Sequence, residues 1–188
     1  MKWPAVLRIA FVLVLALYPF LVFFGLRSLP PGVVGLILAV LLMMRFGIIR
    51  PRERTTSLPA FIVLFLYAAM SALLGSTQML LYYPVLVNAI LLVLFAGSLR
   101  SEEPLLIRVV RARGTPVAEH ATRYLTRLTA IWAGFFLVNG LIAAWTTTAS
   151  IETWTIYNGI ISYLGVAVLA SGEWIYRGHY KKRYGIDN

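Results

Sequence analysis

The sequence predicts an all-α fold, a polytopic transmembrane helical bundle with six spans and both termini in the cytoplasm. Three observations predict it. Of its 188 residues 60% are hydrophobic, with a mean hydropathy of +0.82, more than a soluble core of this length needs. The apolar residues gather in six runs, 9–26, 32–49, 58–75, 79–98, 129–145 and 154–176. Each is near the roughly 20 residues that cross a hydrocarbon layer. The basic residues lie between those runs and favour one side.

The first run, Ile9 to Leu26, follows a start carrying Lys2 and Arg8. No small-x-small cleavage site follows, so it is read as a retained helix, kinked at Pro19. Pro30 and Pro31 close a tight turn, and Gly32 to Ile49 is the second span. Arg45 lies in its last turn, where a long side chain can snorkel to the headgroups. The segment Arg50 to Ser57 is read as a compact basic loop. In the third span Ala68, Ala72 and Ser76 recur four apart, a small-residue stripe expected to face another helix. A minimal uncharged turn, Ser76 to Gln78, leads into the fourth span. Tyr82 and Tyr83 fit an interfacial aromatic belt there, and Asn88 falls near the midplane.

Residues 99–127 form the one substantial connection, a basic cytoplasmic amphipathic loop. Ser101 is expected to cap a short helix with Glu102 and Glu103 in its first turn and Gly114 as its stop. Leu105, Leu106, Val109 and Val110 recur at helical spacing, with Arg108 and Arg111 elsewhere on the surface. Arg108, Arg111 and Arg113 are thus the candidate dock for lipid headgroups or a partner protein. The alternative is a solvated linker whose arginines only set topology. Thr115 and Pro116 would start a second helix, with Glu119 and Arg123 paired at i, i+4.

The last two spans form a hairpin in which each arm carries an Asn-Gly pair. Asn139 and Asn158 count to similar depths below the shared turn, about 9 Å and 6 Å. They are expected to hydrogen-bond across the hairpin, and Asn88 could join them in a polar intramembrane cluster. Such amides glue helices or line a substrate path; glue is the simpler reading. Glu173, the one acid inside an apolar run, can pair with Arg177 at i+4, or with Arg123 or Arg127 across the hairpin. A proton-relay role is its sharper alternative. The end, Arg177 to Asn188, is a basic tail.

With this topology sixteen Lys and Arg fall on the side of the termini and only Arg27 on the other. Trp3, Trp132, Trp145, Trp154 and Trp174 all fall near span ends, as interface anchors should.

Several chemistries are excluded. There is no cysteine, so no disulfide and no thiolate. His120 and His179 lie far apart with no other ligand at helical spacing, so no metal site is expected. The charge of +10 sits in short connections, unlike the basic face of a nucleic-acid binder. No P-loop, HExxH, GxSxG or Rossmann fingerprint is present, and no cofactor is implied.

The stretch RYLTRLTAIWAGFFLVNGLIAAW, followed by TIYNGIISYLGVAVLASGEWIYR, resembles a family of small, uncharacterised bacterial inner-membrane proteins. The family is often encoded beside genes for aryl polyene pigments and related fatty-acid-like products. Some of its members carry a gyrase-subunit label, which no soluble ATP-binding domain in this chain could justify. A more distant similarity is to the septation protein A type, through aromatic residues and an Asn in a late span. The resemblance implies a context, the delivery of amphiphilic acyl chains to a membrane, and no mechanism.

Three functions follow as expectations. One is a non-enzymatic accessory or scaffold protein, with membrane lipids and pathway proteins at the cytoplasmic face as partners. Another is a small lipid or metabolite transporter with an Asn-lined path, which at this size would form a homo-oligomer. The last is an intramembrane acyl or lipid transferase using Glu173 or His120 as base.

Overall fold

Helices account for nearly all of the fold. The structure, a computed structural model, describes residues 17–48, 51–112, 114, 117 and 119–183. Among them there is no strand. The elements in chain order are α1 Tyr18–Ser28, α2 Pro31–Ile48, α3 Pro51–Leu74, α4 Thr77–Ser98, α5 Leu105–Ala112, α6 Glu119–Thr146, α7 Ile151–Ile156 and α8 Ser162–Arg183. A π-helical turn, Tyr157–Ile161, joins α7 to α8 without a break. Among the described residues three stretches are long and apolar enough to cross a membrane: Thr77–Ser98, Ala121–Thr146 and Ile151–Arg177. Pro31–Gly47 and Leu58–Leu74 are shorter apolar helices.

Local chemistry sets the helix ends. Pro19 does not kink a helix; it stands in the first turn of α1, where its missing N–H costs nothing. The part of the first expected span before Leu17 lies outside the described residues. Residues 51–57, expected as a loop, are helical and lengthen α3 at its start, since Pro51 suits a first helical position and Arg and Glu are good helix formers. Between α3 and α4 the chain reverses at Gly75, whose φ of +58° is open to glycine at little cost. Ser76 then caps α4 by accepting from the Met79 N–H. Ser150 caps α7 in the same way, accepting from the Thr153 N–H.

Packing divides the helices into two pairs, α2 with α3 and α4 with α6, joined where α3 meets α4. The small-residue stripe explains the first pair. A Cβ on Gly35 would stand 2.8 Å from the Ala72 backbone N, so only glycine allows this approach. Ala68 is fully buried on the same side of α3. In the second pair a Cβ on Gly140 would stand 3.1 Å from the Asn88 Cβ.

The turn-side core is built from Tyr18, Val22, Val34, Leu38, Leu80, Tyr83 and Trp154. Two of the expected interface aromatics belong to it. Trp154 is fully buried, donates from Nε1 to the Leu81 carbonyl at 2.9 Å and lies edge-on to Tyr18. Tyr83 packs against Tyr18 with ring centroids 4.7 Å apart. Sequence position alone put both at a boundary, but α1 folds over this end and covers them. The Tyr18 hydroxyl fixes that cover by donating to the Leu80 carbonyl. Pro84, inside α4, has no N–H to offer that carbonyl, which is why it is open to a side chain from another helix. Trp145, Trp174 and Tyr82 remain exposed, as anchors should be.

The outward faces are apolar. Leu73, Val93, Val168, Leu141 and Leu164 are all more than half exposed. A water-soluble bundle would hide such residues. Arg27 and Glu152 approach to 3.9 Å, which puts the α1–α2 and α6–α7 turns at one end of the bundle.

Candidate functional site

Asn139 is the hub of a buried polar cluster. Its Nδ2 donates to Asn88 Oδ1 and to Ser162 Oγ, both at 2.9 Å, and its Oδ1 accepts from the Tyr157 hydroxyl at 2.9 Å. Three helical segments are tied together at one point. Asn88 Nδ2 in turn donates to the Pro84 carbonyl one turn back, at 2.8 Å. That local bond holds the amide in place and leaves its Oδ1 facing α6.

Asn158 does not join Asn139. It donates to Thr146 Oγ1 at 3.1 Å and to the Trp154 carbonyl at 2.9 Å. The expected bond across the hairpin fails for two reasons. The α6 helix packs along α4, which turns Asn139 toward Asn88. Asn158 lies opposite Thr146, seven residues and about 10 Å along α6 from Asn139. It is Ser162, one turn further on, that reaches the Asn139 level. Asn158 lies in the π turn and Ser162 directly follows it, and such turns often occur at functional sites.

Asn88, Asn139, Asn158 and Ser162 line a cleft of about 600 Å³ between the helix pairs. Its walls are aromatic and aliphatic: Phe61 and Leu64 from α3, Val87 from α4, Phe135 from α6, Tyr163 and Val166 from α8. Arg45 of α2 lines it as well, and among the described residues no carboxylate pairs with it. Volumes of about 300–1,000 Å³ with apolar walls and a few polar groups are typical of small-molecule sites.

Glu173 pairs with Arg177, its Oε1 3.7 Å from the guanidinium Nε, as i, i+4 spacing allows. It also accepts from the Tyr124 hydroxyl at 3.1 Å. Tyr124 stacks on Tyr176. Tyr124, Arg127, Glu173 and Tyr176 line a second cleft of about 380 Å³ between α6 and α8.

In the connection between α4 and α6 the helix starts at Leu105, not after Ser101. Ser98 Oγ accepts from the Leu105 N–H at 2.9 Å, and the Ser101 hydroxyl lies within hydrogen-bond distance of the Ser98 and Glu103 carbonyls. Glu103 is therefore not a first-turn dipole partner; it reaches forward to pair with Arg111. The helix buries Ile107 fully, and of the expected apolar set Leu105, Leu106 and Val110 are half-buried while Val109 faces outward. Gly114, at φ +82°, ends it as expected. Arg108 is exposed. Arg113, His120 and Glu119, the expected partner of the exposed Arg123, fall where side chains are not described.

Ser162, Tyr157, Thr146 and Tyr124 are polar partners that the sequence did not single out. Ser162 had one signal, its i+4 spacing from Asn158. Among the described residues no group of three His, Asp or Glu could hold a metal ion. Comparison with known proteins finds no matching family model, no similar curated protein and no similar solved structure.

Proposed function

We propose that this chain is a six-span protein of the bacterial inner membrane, with both termini in the cytoplasm, which binds a lipid-like amphiphile between its helix pairs. The observation that carries the reading is the cleft: apolar walls around buried amides and one cation, a combination that suits a molecule with a long tail and few polar groups. A helix bundle needing only glue would fill this space. The six spans rest on the charge pattern, sixteen basic residues against one, and on the two turns that Arg27 and Glu152 bring to one end. The chain's resemblance to proteins encoded beside aryl polyene genes suggests an acyl product as the natural ligand, and the protein as its carrier or binding subunit.

A scaffold role at the cytoplasmic face is the second reading. Its support is α5, which presents Arg108 outward while Ile107 anchors the helix to the bundle. Native mass spectrometry of the protein extracted with its surrounding membrane separates the two. A bound amphiphile, lost when Leu64→Trp fills the cleft, is the expected result. Protein without lipid but with a stoichiometric protein partner would replace the first reading with the second.

A further inference from the structure

Donor and acceptor accounting around the amide cluster narrows the ligand, given the cleft-binding reading above. Asn139 is saturated on Nδ2 by Asn88 and Ser162. Asn88 is not: one Nδ2 hydrogen serves the Pro84 carbonyl, and the other has no acceptor among the described residues. The Ser162 hydroxyl accepts from Asn139, but its own hydrogen has no acceptor there either. Asn158 spends both Nδ2 hydrogens on Thr146 and Trp154, so its Oδ1 accepts nothing from the described residues. Asn88 and Asn158 are 8% and 5% exposed, and all three residues line the cleft. Buried polar groups at membrane depth are costly unless a partner reaches them.

The Ser162 donor and the Asn158 acceptor, one turn apart along α7–α8, match one chemical group. A hydroxyl accepts from Ser162 and donates to Asn158. A carbonyl or ether would leave Asn158 unmet.

Arg45 supplies the second fixed point. It lies 3 residues from the end of α2, whereas Asn88 lies 10 from the end of α4 on the same side. Counted from either end of these parallel helices, their axial offset is roughly 5 to 10 Å. An acid group at Arg45 and a hydroxyl at the amides are then separated by several methylenes.

We propose that the cleft binds an anionic amphiphile carrying a mid-chain hydroxyl, its carboxylate or phosphate on Arg45 and its hydroxyl between Ser162 and Asn158. Phe61, Leu64, Phe135 and Val166 hold the chain by apolar contact.

The test is a binding titration of the full-length protein in nanodiscs with four probes: octadecanoate, the same acid with a mid-chain hydroxyl, the methyl ester of that hydroxy acid, and octadecyl phosphate. One added buried hydrogen bond predicts that the hydroxy acid binds roughly tenfold tighter than octadecanoate. The ester should bind at least tenfold more weakly than its acid, and Arg45→Gln should remove that difference. Octadecyl phosphate binding above or below octadecanoate names the head, phosphate or carboxylate. Ser162→Ala, the mildest change to the cluster, should reduce the hydroxyl preference severalfold without altering the acid preference. Equal binding of the hydroxylated and plain acids, or of acid and ester, overturns this assignment while leaving the cleft-binding reading intact. Absence of binding by all four overturns both.

Discussion

The polar hub predicts a specific pattern of energetic coupling. Removing the Asn139 amide breaks bonds to Asn88, Ser162 and Tyr157 at once. Side-chain hydrogen bonds between membrane helices average about 0.6 kcal/mol and reach about 1.7. Three of them give a loss of roughly 2 kcal/mol for Asn139→Ala. The total is less diagnostic than its partition. In a double-mutant cycle, Asn88→Ala with Asn139→Ala should show coupling of about 0.6–1.7 kcal/mol, because the two amides bond directly. Asn139→Ala with Asn158→Ala should be additive within about 0.3–0.5 kcal/mol, because they share no partner. Reversible unfolding of the protein by an anionic detergent, titrated into neutral bicelles and followed by circular dichroism, measures all five variants. Coupling between Asn139 and Asn158, with additivity between Asn88 and Asn139, would refute the packing of α6 on α4 and restore the simple hairpin.

Other consequences are as direct. Gly35→Val brings a Cβ to 2.8 Å from the Ala72 backbone N and should cost about 1–3 kcal/mol in the same unfolding assay. Trp154→Ala should cost about 3–5 kcal/mol, whereas Trp145→Ala, on the exposed surface, should stay within about 0.5. Because the chain has no cysteine, single Thr148→Cys and Ser101→Cys variants report sidedness without background. In intact cells a membrane-impermeant maleimide should label the first and spare the second; the reverse pattern would invert the topology.

The elements legible in the sequence are those fixed by one segment's own chemistry. Apolar run length located α4, α6 and the α7–α8 rod to within a few residues, apart from the polar turns that extend α6 and α8. The Ala68–Ala72 stripe announced a helix contact, and Gly114 a helix stop. The Glu173–Arg177 pair was readable because i, i+4 spacing is a property of a single helix. What sequence could not give is which helices neighbour one another. Asn139 and Asn158 count to similar depth, yet in the fold Asn158 lies opposite Thr146 and α4 took the Asn139 face. Trp154 and Tyr83 looked like boundary residues because their cover, α1, is distant in sequence. The cleft was invisible for the same reason, since several helices each contribute only one to a few of its lining residues.

Photo-crosslinking tests the cleft most directly. An octadecanoate bearing a diazirine near its tail, equilibrated with the protein in membranes and irradiated, marks whatever surrounds the bound chain. Adducts are expected on cleft-lining peptides of α3, α6 and α8, at Leu64, Phe135 and Val166, and unlabelled hydroxy acid should suppress them. Adducts confined to the outward residues Leu73, Val93 and Val168, and indifferent to competitor, would mean that the chain is only solvated by lipid and that the cleft binds nothing.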